Sequence, residues 1–281
     1  MNVINGIDVS HHQEKIDWKK VKASGIDFVM IKATEGINYV DPLFTQNAKG
    51  ASAAGLHIGA YHFLRLGDEQ LQAKQLMDAI REYQWNYPIA CDVEHNELLA
   101  LGKKQLTDMV LSFCNAVKAG GYYPVLYANL DWCKNHLDMT RLTSYDLWLA
   151  RYADKLNYEG VSMWQYSSTG SVNGINGNVD MNRSYKDYPN LILQSKTVVK
   201  IDTTMDISFA HGQYYTVKTI SPQPVTLTAG TGGVVTVVPF PRTGSEQLFA
   251  LVAIGQTGQE TGIYTTAPGE KPLKRFVFKI K

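Results

Sequence analysis

Residues 88–95, PIACDVEH, place two carboxylates two positions apart at the end of an apolar run. Side chains alternate along a strand, so Asp92 and Glu94 would point to the same side, with Cα atoms roughly 6.5 to 7 Å apart. Two negative charges at that spacing repel each other and raise one pKa, which costs stability and suits acid catalysis. An acidic start to the next helix would also explain the pair, and for this short motif alone it is the stronger explanation.

The whole chain excludes several classes of protein. Its 281 residues are enough for one large domain and a small one. The net charge of +1 gives no electrostatic reason to expect a nucleic-acid partner or a membrane surface. No apolar run approaches the roughly 20 residues of a membrane span. The first residues, MNVINGIDVS, lack the pattern of a secretory signal peptide, so we expect synthesis in the cytoplasm.

Cysteine and histidine spacing gives no sign of a metal or a cofactor. Cys91, Cys114 and Cys133 cannot all pair within one chain, and none belongs to a CxxC pair, so we expect buried free thiols. His11 and His12 do not form an HExxH or comparable spacing. We therefore predict no metal site and no cofactor, and we place the two histidines either at a pocket mouth or in a loop.

Strand-like runs alternate with helical patterns up to about residue 183. Helical patterns cover 68–83 and 106–119, and the alternation predicts a parallel sheet. About eight strands in under 190 residues predict a closed barrel, and little sequence remains for helices between the later strands. The fold class is therefore predicted as α/β, an irregular (β/α) TIM-like barrel over residues 1–183 with helices missing from its second half. The strands are predicted at 3–9, 28–33, 57–63, 88–94, 123–128, 147–152, 161–166 and about 177–181.

The last third of the chain has a different character. Residues 184–201 show no clear periodicity and are predicted to be a linker. Residues 202–281 hold six short strand candidates between turn residues, which predicts a small all-β sandwich. Two of its segments, 234–240 and 248–254, are apolar on both alternating faces. Either they are central strands beneath the connector, or a second copy covers them and the chain forms a homodimer through residues 202–281.

Carboxylates and aromatic rings gather where the predicted strands end. Catalytic groups of a (β/α) barrel project from the carboxyl ends of its strands. Aromatic faces pack against sugar rings, and carboxylates supply proton transfer, so these ends suit a carbohydrate substrate. The convergence makes the catalytic explanation of Asp92 and Glu94 the favoured one. The ends carry Asp8, Lys32, Glu35, Tyr61, His62, Asp92, Glu94, Tyr127, Arg151, Tyr152, Trp164, Gln165, Tyr166 and Asp180.

Six motifs in this order resemble those of glycoside hydrolase family 25, the muramidases of phage-lysin and fungal type. The motifs are GIDVSHHQ (6–13), VMIKATEG (29–36), GAYHF (59–63), CDVE (91–94), LWLARY (147–152) and MWQYSSTGSVNGINGNVDMN (163–182). The resemblance implies cleavage of the β-1,4 bond between N-acetylmuramic acid and N-acetylglucosamine in bacterial peptidoglycan. It also implies that Glu94 is the catalytic acid and base and that Asp8, Asp92 and Asp180 support it.

The substrate contacts and the second catalytic role follow from the same site. Either Asp180 is a nucleophile, or the N-acetyl oxygen of the substrate attacks while Asp92 or Asp180 orients the amide; we favour assistance by the substrate. At the strand ends we expect seven substrate-binding residues: Glu35, Tyr61, Tyr127, Arg151, Trp164, Gln165 and Tyr166.

The C-terminal residues are similar to the small β modules that end clostridial phage lysins. That similarity implies a cell-wall ligand for residues 202–281 and a protein that acts on the wall after release from the host cytoplasm. Two alternatives stay open. A chitinase-like glycosidase would usually carry a longer D-G-x-D-x-D-x-E run, which YPIACDVE lacks, and a non-catalytic wall-binding protein would not need four intact carboxylates.

Overall fold

A computed structural model describes residues 3–197, 199–221, 223–268 and 270–281. The chain divides into two compact units, with the division between Ile192 and Leu193. In the described part of the chain, no helix has the length and apolar character needed to cross a bilayer.

The first unit is a closed barrel of eight strands. Its strand order is the first, ninth, eighth, seventh, sixth, fifth, fourth and second strand of the chain, and pairing of the first with the second closes it. All eight predicted strands are present, and the predicted fold class is confirmed. The strands are β1 (Ile4–Val9), β2 (Phe28–Glu35), the short outer β3 (Tyr39–Val40), β4 (His57–Phe63), β5 (Ile89–Asp92), β6 (Pro124–Asn129), β7 (Asp146–Ala150), β8 (Val161–Gly170) and β9 (Val179–Ser184).

Helices cover only the first half of this barrel. Four of them, α1 (Trp18–Ala23), α2 (Phe44–Ala53), α3 (Glu69–Ile80) and α4 (Gly102–Ala119), follow the early strands. The Asp68 carboxylate caps α3 by accepting hydrogen bonds from the N–H groups of Gln70 and Leu71. After β6 there is a short π-helical segment, Trp132–His136, and no helix lies between β7 and β9 in the described residues. The helix-poor second half was predicted from the scarcity of sequence there.

Strand β9 runs antiparallel to both of its neighbours, β1 and β8. The alternation of strands and helices had predicted a parallel sheet, and for this strand that prediction is wrong. The connection between β8 and β9 spans residues 171–178, which is too short for the crossover that a parallel pair requires. As a result the start of β9, rather than its end, lies at the mouth of the barrel.

The predicted linker contains a helix, α5 (Tyr188–Thr197). Tyr188 and Ile192 are buried among the apolar side chains of the barrel interior. The Tyr188 hydroxyl donates to Asp146 Oδ2 at 3.0 Å, and Lys186 pairs with the other oxygen of Asp146 at 2.6 Å. Two buried positions one turn apart are too few to establish a period in the sequence, which is why the helix was not predicted.

The second unit consists of two four-stranded sheets that enclose one apolar core. The sandwich was predicted, with six strands instead of eight, because the two additional strands are only two and three residues long. The sheets are β10-β12-β15-β14 and β11-β17-β16-β13. Their strands are β10 (Lys200–Ile201), β11 (Ile207–Phe209), β12 (Tyr214–Ile220), β13 (Thr226–Ala229), β14 (Val235–Pro239), β15 (Glu246–Ala253), β16 (Glu260–Thr266) and β17 (Leu273–Ile280).

The two segments that are apolar on both faces form β14 and β15. Strand β15 is central in its sheet and β14 lies at the edge. Their inward side chains join the core, whereas Val238, Phe240 and Leu248 are between 41% and 45% exposed. Tyr214 on the adjacent strand β12 is 67% exposed. The outer face of this sheet therefore presents an apolar surface.

Candidate functional site

A pocket of about 260 Å³ opens at the mouth of the barrel. It brings together all four of the predicted carboxylates. Tyr61, Tyr127 and Gln165, three of the seven predicted substrate-binding residues, also line it. The complete lining is Asp8, Val9, Ser10, His12, Gln13, Lys32, Tyr61, Phe63, Asp92, Glu94, Tyr127, Trp148, Tyr152, Gln165 and Asp180.

Three strands carry the four carboxylates to the pocket. Asp8 lies near the end of β1, and Asp180 lies directly opposite it near the start of β9. Asp92 is the last residue of β5, and Glu94 follows two residues later in the loop. Strand β5 is therefore shorter than predicted, and it is the loop after the strand that carries Glu94 to the pocket beside Asp92.

Two side-chain amides hold the Asp8 carboxyl group. Gln165 Nε2 donates to Asp8 Oδ2 at 2.9 Å, and Asn182 Nδ2 donates to the same oxygen at 2.7 Å. The Gln165 carbonyl accepts from the hydroxyls of Tyr127 at 3.0 Å and Tyr152 at 3.1 Å. Because two hydroxyls donate to its oxygen, the Gln165 amide can present only its N–H side to Asp8.

The second amide is fixed in the same way, by a donor to its oxygen. The indole N–H of Trp148 donates to Asn182 Oδ1 at 2.8 Å, which leaves the Asn182 amide nitrogen facing Asp8. Asn182 is fully buried, and Trp148 is 1% exposed. The orientation of Asp8 is thus determined by buried groups on β7, β8 and β9.

Asp92 is buried and incompletely hydrogen-bonded. Its side chain is 5% exposed, and its Oδ1 has no hydrogen-bond partner among the described residues. Burial raises the pKa of Asp92 well above its ordinary value, the negative charge of Glu94 raises it further, and Lys32 lowers it. An unpartnered buried oxygen that faces a pocket is suited to accept a hydrogen bond from a ligand.

Glu94 and Asp180 are less deeply buried, and both have raised pKa values. Burial is the largest cause for Glu94, followed by the negative charge of Asp180; Lys32 and a hydrogen bond with Tyr127 act in the opposite direction. Burial also raises the pKa of Asp180, against a hydrogen bond from Asp8. A glutamic acid that keeps its proton toward neutral pH can serve as a general acid.

Lys32 is the only lysine or arginine among the described residues that line the pocket. Its ammonium group lies 2.6 Å from Glu35 Oε2 and 4.8 Å from the centre of the Phe63 ring. The sequence placed Lys32 at a strand end without assigning it a role. The structure makes it the positive charge that faces Asp92 and Glu94.

Four predicted substrate-binding residues do not line this pocket. Glu35 pairs with Lys32 and Arg65, and the Arg151 guanidinium donates to backbone carbonyls in its own loop. The remaining two lie on β8 on either side of Gln165. Side chains alternate along a strand, so when Gln165 faces the barrel interior its two neighbours must face outward.

The two outward-facing aromatic residues of β8 have other partners. Trp164 is 3% exposed, and its indole donates to the backbone carbonyl of Arg151 at 2.7 Å. The guanidinium of Arg183 lies 4.5 Å from the centre of the Tyr166 ring. Trp164 and Tyr166 therefore support the strand and do not form a wall of the pocket.

Sequence reasoning missed several residues of the site. Asn182 lies two positions after Asp180 on β9, so strand alternation could have placed it on the same face. Trp148 on β7 carried no signal, because an apolar strand residue reads as core. The two histidines were expected either at the pocket mouth or in a loop. His12 lines the pocket, whereas His11 lies outside it and pairs with Asp41 at 2.7 Å. The other missed lining residues are Val9, Ser10, Gln13 and Phe63.

None of the three cysteines lines this pocket. Cys91, Cys114 and Cys133 are free and buried. Burial raises the pKa of Cys91 well above its ordinary value, which makes it unreactive as a thiolate. Within the described ranges, no group of three or more histidine, cysteine, aspartate or glutamate side chains is arranged to hold a metal ion.

Known proteins resemble this chain in sequence and in structure. The model of glycosyl hydrolases family 25 matches residues 7–175. The autolytic lysozyme of Clostridium acetobutylicum is 34% identical over 200 residues, which are 70% of this chain and 59% of that protein. The bacterial lysozyme of Streptomyces coelicolor superposes with a TM-score of 0.60 and 30% identity, over 67% of this chain and 95% of its own.

A third similar protein was solved with a bound ligand. The modular autolysin LytC of Streptococcus pneumoniae, in complex with a synthetic peptidoglycan ligand, superposes with a TM-score of 0.61 and 25% identity, over 66% of this chain and 47% of its own. This chain spans less than two thirds of the length of both the Clostridium relative and LytC. The family match covers more than half of the chain and includes three of the four carboxylates of the pocket. The chain belongs to glycosyl hydrolases family 25, and its barrel unit is that of a glycoside hydrolase.

Proposed function

We propose that this protein is a muramidase that cleaves the β-1,4 bond between N-acetylmuramic acid and N-acetylglucosamine in peptidoglycan. The observation that carries the proposal is the single pocket that holds Asp8, Asp92, Glu94 and Asp180 between aromatic side chains. Two or more carboxylates around one sugar-sized pocket are what glycoside hydrolysis requires. Membership of the family supports the same reaction.

Glu94 is the general acid in this proposal. Its pKa is raised by burial and by the charge of Asp180, so it can hold the proton that the leaving oxygen needs. It also lies in the loop after β5 and is less buried than Asp92. After the first step the same carboxylate can act as the base that activates water.

The unpartnered oxygen of Asp92 favours assistance by the substrate. An N-acetyl sugar carries an amide N–H that can donate to Asp92 Oδ1, which has no partner among the described residues. A carboxylate that accepts this bond would orient the acetamido oxygen toward the anomeric carbon. Asp180 as nucleophile is the competing assignment.

Two inhibitors separate these mechanisms. A thiazoline analogue mimics the cyclic intermediate formed by the acetamido group, and we expect it to inhibit. A fluorinated sugar that traps covalent intermediates should leave Asp180 unlabelled. Labelling of Asp180, together with indifference to the thiazoline, would reverse the assignment.

We further propose that residues 202–281 bind the bacterial cell wall, in a protein of the phage-endolysin type. A binding module raises the local concentration of an enzyme on an insoluble polymer. The exposed outer face of β14 and β15 supports a second copy of the chain as its partner, because Val238, Phe240 and Leu248 leave apolar surface uncovered. The three buried free thiols fit synthesis in the reducing cytoplasm before release to the wall.

Pull-down and light scattering test the second unit. The full chain should sediment with purified walls, whereas a chain that ends at residue 197 should bind them more weakly. Light scattering at micromolar concentration should show a dimer that Leu248→Glu dissociates, and the exposed Lys274→Glu on the other sheet should leave it intact. A monomeric full chain would refute the dimer, and equal wall binding by both chains would refute the targeting role.

Analysis of the released sugar ends is the decisive experiment for the reaction. Digestion of purified peptidoglycan should release fragments with N-acetylmuramic acid at the reducing end, and chitin should stay intact. Release of chitin oligosaccharides would identify a chitinase-like enzyme instead. Wall binding without any new reducing ends would identify a non-catalytic binding protein.

A further inference from the structure

Asp8 and Asp180 form a pair of carboxyl groups across two antiparallel strands. They are direct partners in the register of β1 and β9, and their side chains are hydrogen-bonded to each other. Like charges directly opposite each other in a sheet are unfavourable, and a buried carboxyl that is hydrogen-bonded to a second carboxyl opposes the ionisation of both. The pair therefore shares one proton.

The two amides leave one oxygen of Asp8 for this shared hydrogen bond. Asp8 Oδ2 already accepts from Gln165 at 2.9 Å and from Asn182 at 2.7 Å. Gln165 and Asn182 are 2% and 0% exposed, and both are fixed by donors to their own oxygens. The oxygen that faces Asp180 is therefore Oδ1, whichever of the two carboxyls carries the proton.

Burial places the proton on Asp8. Asp8 is 6% exposed, whereas Asp180 is only partly buried and reaches the open pocket. The amide donors favour an ionised Asp8, although they can still donate to the carbonyl oxygen of a protonated one, and the desolvation cost of the charged form acts against them. Desolvation and the charge of Asp180 are the two largest causes that raise the pKa of Asp8, and they outweigh the amides.

Other charged and titratable groups around the pair agree with this placement. Asp92 on β5 and Glu94 after it are negative or neutral, and they add repulsion against a second charge at Asp8 or Asp180. The tyrosine hydroxyls stay neutral, because burial and these carboxylates raise their pKa values. The positive charge of Lys32 faces Asp92 and Glu94. The groups that line the pocket around the pair are Lys32, Tyr61, Asp92, Glu94, Tyr127, Tyr152 and His12.

We propose that the deeper burial of Asp8 keeps the shared proton on it, that Gln165 and Asn182 orient its carboxyl group, and that Asp8 donates the proton in a hydrogen bond to Asp180, so that Asp180 acts as the ionised carboxylate of the pair. Asp8, Gln165 and Asn182 are then positioning residues. The consequence for catalysis rests on the proposed muramidase function, whereas the location of the proton does not.

Asparagine at position 8 mimics the protonated acid. Its carbonyl oxygen can accept from Gln165 and Asn182, and its amide can donate to Asp180. Leucine has nearly the same size and can do neither. We expect Asp8→Asn to be at least about tenfold more active on purified peptidoglycan than Asp8→Leu, the scale of one charge-assisted hydrogen bond. Asp180→Asn should fall to the level of Asp8→Leu, because it removes the ionised carboxylate.

Infrared spectroscopy of protein labelled with ¹³C-aspartate locates the proton directly. Near neutral pH the native protein should show a carboxylic-acid carbonyl band that is absent from Asp8→Asn and retained in Asp180→Asn, because burial keeps Asp8 protonated. Loss of the band in both variants would place the proton on Asp180, and this measurement needs no activity. A missing difference band, an Asp8→Asn variant as inactive as Asp8→Leu, or an Asp180→Asn variant more active than Asp8→Asn would each overturn the proposal. If the native protein fails to cleave peptidoglycan, the proposed function fails, while the band still reports on Asp8.

Discussion

The ammonium group of Lys32 lies 2.6 Å from the carboxylate of Glu35 at the rim of the pocket. Lys32 is 9% exposed, and its position over the Phe63 ring leaves it little freedom. Glu35, which was predicted to bind substrate, is paired with the lysine that sets the charge of the site. Lys32 lowers the pKa of both Asp92 and Glu94 against the burial that raises them.

Lys32→Met should therefore move the pH dependence of hydrolysis upward. Without the positive charge, the pKa of Glu94 rises, so the acid keeps its proton at higher pH and the basic limb of the profile shifts toward alkaline pH. Initial rates on purified peptidoglycan across the pH range measure this. Lys104→Met, whose exposed side chain pairs with Asp108 on α4, is the control and should leave the profile unchanged. An unshifted basic limb in Lys32→Met would show that its charge does not reach Glu94.

Glu94→Gln should reduce hydrolysis at least about 100-fold, the usual scale of general acid catalysis. The substitution keeps the shape of the side chain and removes its transferable proton, so fold and wall binding should persist. Glu82→Gln, an exposed glutamate after α3, is the matched control. Near-normal turnover by Glu94→Gln would assign the acid to another carboxyl.

Asp92→Asn should lower activity and stabilise the barrel near neutral pH. A carboxyl whose folded pKa is raised binds its proton more tightly in the folded state, so its ionisation makes the free energy of unfolding fall as pH rises above the unfolded pKa of about 3.9. The side-chain amide of Asp92→Asn does not ionise, so the variant does not lose this free energy of unfolding as pH rises. The difference between variant and native protein should vanish below about pH 3, where both folded and unfolded carboxyls are protonated.

Urea unfolding at acidic and neutral pH measures this effect. All five tryptophans belong to the first unit, so tryptophan fluorescence follows the barrel alone. Asp78→Asn is the control, because a hydrogen bond from Lys74 lowers the pKa of Asp78 and its removal should not stabilise. A native protein that is more stable than Asp92→Asn at neutral pH would mean that Asp92 gains a compensating partner when ionised.

Tyr188→Ala should destabilise the barrel by about 3 to 5 kcal/mol, as for other large buried aromatic side chains. The ring is fully buried against Tyr87 and Tyr123, and its hydroxyl donates to Asp146. Tyr188→Phe removes only the hydroxyl and should cost about 0.5 to 1.5 kcal/mol. Fluorescence-detected unfolding again gives both values. Equal values for the two variants would show that the ring does not fill the interior of the barrel.

The first unit shows how much of the fold can be predicted from local sequence patterns. Eight strand-like runs and a shortage of helical sequence after residue 128 were sufficient to predict the barrel, because strand length and apolar content are local properties. Strand direction was not local. The antiparallel course of β9 depends on how the chain returns from β8 to β1. The residues of 177–181 predict a strand but do not indicate its direction.

The helix α5 shows the opposite case. Its buried residues, Tyr188 and Ile192, lie one turn apart. They are buried only because they pack against barrel side chains from strands that are distant in sequence. No periodicity could reveal it. The linker was predicted from the absence of a pattern, and an absent pattern does not distinguish a flexible connector from a short helix.

The sequence by itself determined the eight strands, the all-β second unit and the four carboxylates at the pocket, since each follows from residue type and position along a strand. Only the tertiary structure decided which neighbours share a face with them. Gln165 points to Asp8 while Trp164 and Tyr166 point away, and Asn182 and Trp148 join from other strands. The physical reason is that burial and hydrogen bonding are properties of side chains brought together from distant parts of the chain, and they control the proton on each carboxyl.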